Sequence, residues 1–317
     1  MPTLRVNGYD MAFVERGSGA ALLLVHGTLG DYRHWTGQMA PFGAHYRTIA
    51  VSLRHCWPEH WDGEGDDFTV QQHTADVAGF ISALEAGPVH LLGHSRGGHL
   101  AFRVAQNFPN LIRTLTLVEP GGALAPDLEA ALPPGEPLIA IGPLYVKAAE
   151  RIRRGEIDEG LQTVIDVTSG PGSWDRMPER IKQLRRDNAR TLLGQIKEKR
   201  APFGRADAEA IRAPTLLIAG ERSPASFHRI LDGLETAIRD VRRAVIPKAS
   251  HSSNIDNPAA FARGSGVSRW AVTSAPPLRV NEAQLRSCLD ERAPTRHLAP
   301  AVNCNDAGVR SLQRSRL

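Results

Sequence analysis

Residues 89–98 read Val-His-Leu-Leu-Gly-His-Ser-Arg-Gly-Gly, and this stretch constrains the fold more than any other. Residues 89–92 suit a buried strand, and residues 100–108 suit a helix. A strand, a Gly-x-Ser-x-Gly turn and a helix in this order place the serine, Ser95, at the tip of a sharp turn. Both glycines of the pattern are required, because a Cβ atom there would collide with the neighbouring strand or helix. The serine itself is expected to adopt a strained backbone conformation.

The rest of the chain alternates between apolar runs and helix-like segments. Amphipathic periodicity predicts helices at residues 69–85 and 227–239. Asn7-Gly8 predicts a hairpin turn between the first two strands. The alternation as a whole predicts an α/β fold, with a mainly parallel sheet flanked by helices on both faces. The further strands are predicted at residues 4–6, 11–14, 21–25, 46–52, 112–118, 215–219 and 241–246.

The alternation breaks between residues 123 and 212, where we find no convincing strand. Helical segments are predicted near residues 138–154, 156–168 and 176–199, with glycines and prolines between them. Many positions in this region are charged. We therefore expect a helical insertion that covers a site.

Composition narrows the class of protein. The 317 residues are 42% hydrophobic, which is ordinary for a globular protein with a substantial core. No apolar run approaches the ~18–20 residues of a membrane span, and we find no signal peptide. The three cysteines are too few and too scattered for a disulfide framework or a zinc site, so a cytoplasmic location is expected.

The basic character of the sequence belongs to its last part. Residues 262–317 carry nine arginines and a net charge of +5, whereas the first 261 residues carry a net charge of −1. No nucleic-acid-binding surface is therefore expected in the body of the protein. Residues 264–317 are rich in Ser, Arg, Ala and Pro without a sustained apolar period, and we expect a disordered tail. The abrupt change after residue 263 suggests a replaced C terminus or a shifted reading frame.

Five features follow one another along the chain: a strand ending in His26-Gly27, the Gly93-x-Ser95-x-Gly97 turn, the helical insertion, residues 214–220, and Ser250-His251. With these features the chain resembles the α/β-hydrolase superfamily over roughly residues 3–262. The resemblance implies an α/β-hydrolase fold, with a central sheet of about eight strands and a helical cap inserted after the sixth. The expected core is residues 1–122 and 213–263, and the expected cap is residues 123–212. A triad of serine, acid and histidine in that chain order is also implied.

The resemblance assigns chemistry to four positions. Ser95 is the expected nucleophile, and His251, five residues beyond the end of the last strand, is the expected base. The backbone N–H groups of Thr28 and Arg96 are the expected oxyanion hole. The side chain of Arg96 has two interpretations: it reaches acidic groups of the substrate, or, as we favour, it turns into the elbow and packs or pairs with a carboxylate.

The acid of the triad departs from the family pattern. Where the family usually has an aspartate, three residues after the glycine that ends the seventh strand, this sequence has Ser223. A serine cannot stabilise an imidazolium as a carboxylate does. Two glutamates keep the required order, Glu119 after the sixth strand and Glu221 after the seventh. We favour Glu119, since it ends the strand beside the nucleophile strand, and some relatives, including certain haloalkane dehalogenases, take their acid from there.

Other residues near these motifs have two interpretations. Residues 54–57, Arg-His-Cys-Trp, would either face the substrate or form a loop packed around the tryptophan. Cys56 has no activating partner other than His55, so we do not expect a cysteine nucleophile. Three histidines are expected to support loops and pack rather than react: His26, His94 and His99. Three aromatic side chains are expected either to line a pocket under the cap or to fill its core: Trp35, Tyr145 and Trp174.

The function expected from this pattern is hydrolysis of a small carboxylic ester, lactone or related carbonyl compound through a Ser-Glu-His triad and an acyl-enzyme. Carbon–carbon hydrolysis and acyl transfer stay open, whereas a serine nucleophile disfavours the dehalogenase and epoxide-hydrolase branches. The alternative is a non-catalytic binding protein of the same fold, which Ser223 at the acid position motivates. We find no phosphate-binding loop and no metal-ligand spacing, so we expect no cofactor, no metal, and a small-molecule substrate rather than a nucleic-acid or membrane partner.

Overall fold

The computed structural model describes residues 1–135 and 141–264. All of them belong to one compact unit, Met1–Ser274. The tail predicted after residue 264 lies outside the described residues, so its expected disorder stays a prediction. No helix within the described part of the chain has both the length and the apolar character needed to cross a bilayer.

One sheet of eight strands runs through the described residues, in the order β1-β2-β4-β3-β5-β6-β7-β8. The first two strands form an antiparallel hairpin, and β2 pairs antiparallel with β4. Every other pairing is parallel. The predicted mainly parallel α/β sheet is therefore confirmed. The strands are β1 (Thr3–Val6), β2 (Tyr9–Arg16), β3 (Ala21–Val25), β4 (Arg47–Val51), β5 (Val89–His94), β6 (Ile112–Val118), β7 (Thr215–Gly220) and β8 (Val241–Ile246).

The central strands are continuous apolar runs because both of their faces are covered. Every residue of β3, β5 and β7 is buried. The edge strand β8 is instead half-exposed along most of its length. On one face the core includes Phe80, Leu100 and Leu231, and on the other it includes Phe42 and Phe261. This arrangement fixes the sheet, so that the loops at the carboxyl ends of β3, β5, β6, β7 and β8 meet at one edge.

The helices predicted at residues 69–85, 100–108, 138–154, 156–168 and 227–239 are present with different ends. The described residues form thirteen α-helices in all. They are α1 (Thr36–Gly43), α2 (Val70–Ala83), α3 (Arg96–Asn107), α4 (Pro126–Glu129), α5 (Ile141–Arg153), α6 (Ile157–Ser169), α7 (Ser173–Arg176), α8 (Glu179–Asp187), α9 (Thr191–Gln195), α10 (Arg205–Glu209), α11 (Ala225–Glu235), α12 (Ser253–Asp256) and α13 (Pro258–Gly264).

The predicted helix near residues 176–199 is wrong as a single element, because the chain forms α8 and α9 instead. The break lies at Asn188, whose side-chain amide donates to the Leu184 carbonyl oxygen at 2.8 Å and to Asp31 at 2.6 Å. An asparagine side chain that bonds backbone in this way competes with the helical hydrogen bonds. The described part of residues 123–212 is otherwise helical, with one isolated bridge between Leu124 and Phe203.

Candidate active site

Ser95 lies between β5 and α3 in a strained backbone conformation, with φ 53° and ψ −120°. This left-handed φ is costly for a residue with a Cβ and is typical of functional turns. A Cβ on Gly93 would stand 2.2 Å from the Gly97 carbonyl oxygen, and a Cβ on Gly97 would stand 2.3 Å from the His26 carbonyl oxygen. Only glycine fits either position, so the turn can form only with this sequence pattern.

His251 follows β8 and lies at the same edge of the sheet as Ser95. Its Nδ1–H donates to Glu119 Oε2 at 2.6 Å, and both side chains are buried. The ring stacks on Phe227, with centroids 3.9 Å apart and planes 15° apart. The backbone carbonyl of His251 accepts from His94 Nε2 at 2.8 Å. The imidazole is therefore held in one orientation, with Nδ1 committed to the carboxylate.

Glu119 is fully buried at the carboxyl end of β6, with φ 44°. Its second oxygen, Oε1, accepts from the Gly220 N–H at 2.6 Å. Burial alone would raise the pKa of Glu119, but the hydrogen bonds and charge of His251, with the Gly220 N–H, outweigh it and hold the pKa below its usual value. The carboxylate is therefore ionised and has a hydrogen bond on each of its oxygens.

The competing carboxylate, Glu221, lies elsewhere. It is exposed, and its Oε2 accepts from the backbone N–H of Lys248 at 2.6 Å. Ser223, at the position where an aspartate was expected, packs against the same turn, since a Cβ on Gly220 would stand 2.7 Å from its Oγ. The structure brings Glu119, and not Glu221, to His251.

The two expected oxyanion donors flank Ser95. Arg96 is the first residue of α3, where backbone N–H groups have no partner within the helix. Gly27 packs directly on the turn, because a Cβ there would stand 2.9 Å from Ser95 Cβ, and Thr28 follows it. Thr28 and Ser95 line the same cavities.

Arg185, on α8, holds the loop that carries Thr28. Its Nη1–H donates to the Leu29 carbonyl oxygen at 2.9 Å and more weakly to the Thr28 carbonyl oxygen at 3.4 Å. The side chain is buried and forms no ion pair with a carboxylate among the described residues, and burial lowers its pKa to about 10. Leu29 has a left-handed φ of 57°. A helix of the inserted segment therefore fixes a strained loop beside Ser95, which sequence reasoning did not identify.

The expected packing roles of the nearby histidines agree with their contacts. His26 Nδ1–H donates to the Gly27 carbonyl oxygen, and Nε2 accepts from the Leu53 N–H, so the ring is neutral and supports the loop. Burial lowers the pKa of His26 to about 4. His94 and His99 are also buried, and each ring donates to a backbone carbonyl oxygen, that of His251 and that of Gly121 respectively.

Residues 54–57 form a packed loop rather than a wall of the cavity at Ser95. Arg54 pairs with the buried Asp76, and His55 contacts both Glu59 and Asp67. Cys56 is buried, which raises the pKa of its thiol. Of the three aromatic candidates, only Tyr145 lines the cavity, whereas Trp35 and Trp174 fill hydrophobic cores. The pocket-lining interpretation is thus wrong for both tryptophans, because the Trp35 and Trp174 rings are buried within hydrophobic clusters.

The cavity beside Ser95 has a volume of about 350 Å³, which is at the lower end of the range for small-molecule sites. One wall is apolar and includes Tyr145, Ile196, Phe227 and Ile230. A second, much smaller cavity of about 20 Å³ adjoins it and is lined by Ser95, His251 and Arg185. Ser95 is therefore reachable from a space that accepts a small molecule.

The opposite wall of the larger cavity carries two charged side chains, Glu198 and Arg200. The Glu198 carboxylate is buried and accepts from the guanidinium groups of both Arg96 and Arg200. Arg96 thus turns inward and pairs with a carboxylate, as its sequence position led us to expect. Its partner lies 102 residues away, so no local pattern could have identified it. Within the residues described, we find no group of three or more His, Cys, Asp or Glu residues arranged to hold a metal ion.

Comparison with known proteins places these features in a family. A family model described as the alpha/beta hydrolase family matches residues 22–264. Among solved structures, the enol-lactonase of Burkholderia xenovorans superimposes with a TM-score of 0.68 and 21% identity, covering 86% of this chain and 100% of the enzyme. A thermophilic esterase of Thermogutta terrifontis superimposes with a TM-score of 0.64 and 23% identity, covering 86% of this chain and 97% of the esterase.

The sequence similarity to several curated proteins covers only part of the chain. An uncharacterised protein of Mycobacterium bovis is 34% identical over 128 residues, which is 38% of this chain and 36% of that protein. The chain thus spans about a third of the length of this relative. At these levels of identity the solved structures support the fold alone.

Proposed function

Because the chain belongs to the alpha/beta hydrolase family, we propose that this hydrolase cleaves small carboxylic esters or lactones with Ser95 as its nucleophile. One observation carries the proposal: behind a serine in a strained turn, a buried carboxylate accepts the Nδ1–H of a histidine at 2.6 Å. That bond leaves Nε2 of His251 unprotonated when the ring is neutral, and an unprotonated Nε2 is what a general base requires.

The proposed reaction proceeds in two halves. Ser95 Oγ attacks the carbonyl carbon while His251 Nε2 accepts its proton, and Glu119 stabilises the imidazolium that forms. The backbone N–H groups of Thr28 and Arg96 bind the oxyanion. His251 then returns the proton to the leaving alcohol oxygen, which departs and leaves an acyl-enzyme. Water, deprotonated by His251, attacks the acyl-enzyme and releases the carboxylic acid and Ser95.

The proposed substrate class is taken from two proteins of the same fold, one an enol-lactonase and the other an esterase. Both reactions displace an alcohol or enol oxygen from an acyl carbon, as the proposed mechanism does. The substrate of this chain is proposed to be small, in keeping with a cavity of about 350 Å³.

The competing function is a non-catalytic binding protein of the same fold, for which Ser223 at the usual acid position was the motive. The position of Glu119 weakens that motive, because a buried carboxylate already occupies the place behind His251.

Labelling with a fluorophosphonate tests the proposal directly. We expect one covalent adduct on Ser95 in the wild-type protein and none in Ser95→Ala. Ser226→Ala serves as a matched control, because Ser226 lines the same cavity outside the turn and its loss should leave labelling unchanged. Folded wild-type protein that forms no adduct on Ser95 and hydrolyses no ester above the Ser95→Ala background would favour the binding protein.

A further inference from the structure

The charged wall of the cavity has an excess of positive charge. Arg96 and Arg200 share a single carboxylate, Glu198, and neither forms an ion pair with another carboxylate among the described residues. Each guanidinium is permanently charged, so the cluster carries a net charge of +1. The side chains of Glu198 and Arg96 are buried, whereas 21% of the Arg200 side chain is exposed.

Arg200 is the member of the cluster that faces the cavity. Its Nε and Nη2 donate to Glu198 Oε2, at 3.2 Å and 3.0 Å. In the described part of the chain, Arg200 Nη1 has no hydrogen-bond acceptor. The position that a Cβ on Gly121 would occupy lies 3.6 Å from Arg200 Nη1 and 3.4 Å from the Arg96 backbone nitrogen. Gly121 therefore leaves a gap between the guanidinium and the predicted oxyanion donor.

Arg96, in contrast, is committed to the protein. Its Nε and Nη2 both bind Glu198, Nη2 also lies 2.5 Å from His73 Nδ1, and its guanidinium lies over the Phe68 ring. Arg96 holds the Glu198 carboxylate in place, and Glu198 in turn orients Arg200. Burial and the neighbouring charge of Arg96 lower the pKa of Arg200, and Glu198 opposes them.

The Arg200 guanidinium is mostly buried, with about a fifth of the side chain exposed, and its Nη1 edge is open for an anion to complete its hydrogen bonds. A carboxylate is the group whose geometry best fits a guanidinium edge. The cavity is also lined by the apolar side chains of Val146, Ile196, Phe227 and Ile230, so part of the ligand should be hydrocarbon. We propose that the substrate of the proposed ester or lactone hydrolase carries a carboxylate, and that Arg200 binds it while Ser95 attacks the ester. This inference rests on the proposed function for its reaction but not for its binding site.

Monomethyl and dimethyl esters of succinate, glutarate and adipate form matched probe pairs, because each pair differs only in whether one end is a carboxylate or a neutral ester. Binding is measured calorimetrically with Ser95→Ala, which does not require turnover. Initial rates with wild-type protein are measured by pH-stat. We expect at least one monoester to bind more tightly and to show a higher kcat/KM than its diester. Arg200→Gln should reduce the preference for the monoester by roughly 10- to 100-fold, the range for hydrogen bonds to charged groups.

Three further variants separate recognition from folding. Arg200→Lys keeps the charge without the planar fork and should retain part of the preference. Arg205→Gln makes the same change at a partly exposed arginine on α10 that pairs with Glu209, and it should leave the preference intact. Glu198→Gln should weaken monoester binding less than Arg200→Gln does, because the Glu198 side chain positions Arg200 and does not contact the anion.

The outcomes distinguish this inference from the proposed function. Equal affinities for monoester and diester in Ser95→Ala, or an Arg200→Gln variant that loses both alike, would overturn carboxylate recognition while leaving ester hydrolysis in place. Monoester binding that depends on Arg200 without any turnover in wild-type protein would support the anion site and refute the hydrolase. Loss of diester turnover in Arg200→Gln would show a structural role only.

Discussion

Replacing Glu119 by glutamine tests the arrangement behind Ser95 with the smallest change in shape. Glu119 accepts two hydrogen bonds, one from His251 Nδ1–H and one from the Gly220 N–H, each at 2.6 Å. Glutamine has one acceptor oxygen and one NH₂ group, so it can satisfy only one of these donors. The Gly220 N–H cannot change its role, whereas an imidazole can move its proton.

The expected arrangement of Glu119→Gln therefore has the amide oxygen towards Gly220 and the NH₂ group towards His251. His251 Nδ1 then becomes an acceptor, and the proton moves to Nε2, where it blocks abstraction of the Ser95 proton. A wrong tautomer of this kind lowers kcat by roughly 10⁴-fold, about 5 kcal/mol in activation free energy. Loss of the charged hydrogen bond should also lower the free energy of unfolding by about 1–3 kcal/mol.

The assay is turnover of a neutral ester together with the rate of fluorophosphonate labelling and urea denaturation. Glu221→Gln is the matched control, since Glu221 is the exposed glutamate that bonds the Lys248 N–H, and its kcat should not change. If folded Glu119→Gln keeps more than about a tenth of kcat, the tautomer argument is refuted. A large loss in Glu221→Gln would move the acid to the loop after β7.

Two further predictions concern stability. The free energy of unfolding should fall as pH falls from about 6.5 towards about 4, because His26 is neutral when folded, with its pKa lowered by burial to about 4, but is protonated in the unfolded chain. Protonation of this one histidine in the unfolded chain lowers the free energy of unfolding by about 3 kcal/mol at low pH, and the full stability is present above pH 6.5. Urea denaturation at successive pH values measures this change, and a constant free energy of unfolding over the range would contradict the prediction. Gly97→Ala should lower the free energy of unfolding by roughly 1–3 kcal/mol and also lower kcat, because its Cβ would lie 2.3 Å from the His26 carbonyl oxygen and displace the loop before Thr28. Urea denaturation and kcat measure these effects, and wild-type values for both would show that the turn tolerates a side chain.

The sheet and the strained turn could be predicted because their signals are local. A strand buried on both faces is a continuous apolar run, and the two glycines around Ser95 are required by backbone contacts within a few residues. Glu119 could be favoured over Glu221 for a similar reason, since it ends the strand beside β5. The sequence predicts that helix α3 begins at residue 100, whereas it begins at Arg96. The prediction misses the first turn because Gly97 and Gly98 are poor helix formers, and these glycines are needed there for close backbone approach.

The charged wall could not be predicted in the same way. Glu198 and Arg200 lie in the segment between α9 and α10, and the second arginine that binds Glu198, Arg96, is 102 residues away from it. An acidic and a basic residue two positions apart on a polar loop are ordinarily solvated, and nothing local indicates that these are buried. Arg185 is similar, because its partners are backbone carbonyls, which leave no trace in side-chain identity.

The segment between β6 and β7 does more than cover the cavity. Through Arg185 it holds the Thr28 and Leu29 carbonyls, through Asn188 it holds Asp31, and through Glu198 it holds Arg96. These contacts join the helical segment to the loop after β3 and to the first residue of α3. Replacing the segment by that of another protein would remove these anchors together with two residues of the cavity wall, Glu198 and Arg200. We therefore expect substitutions within residues 185–200 to alter the loop at residues 28–31 as well as the cavity.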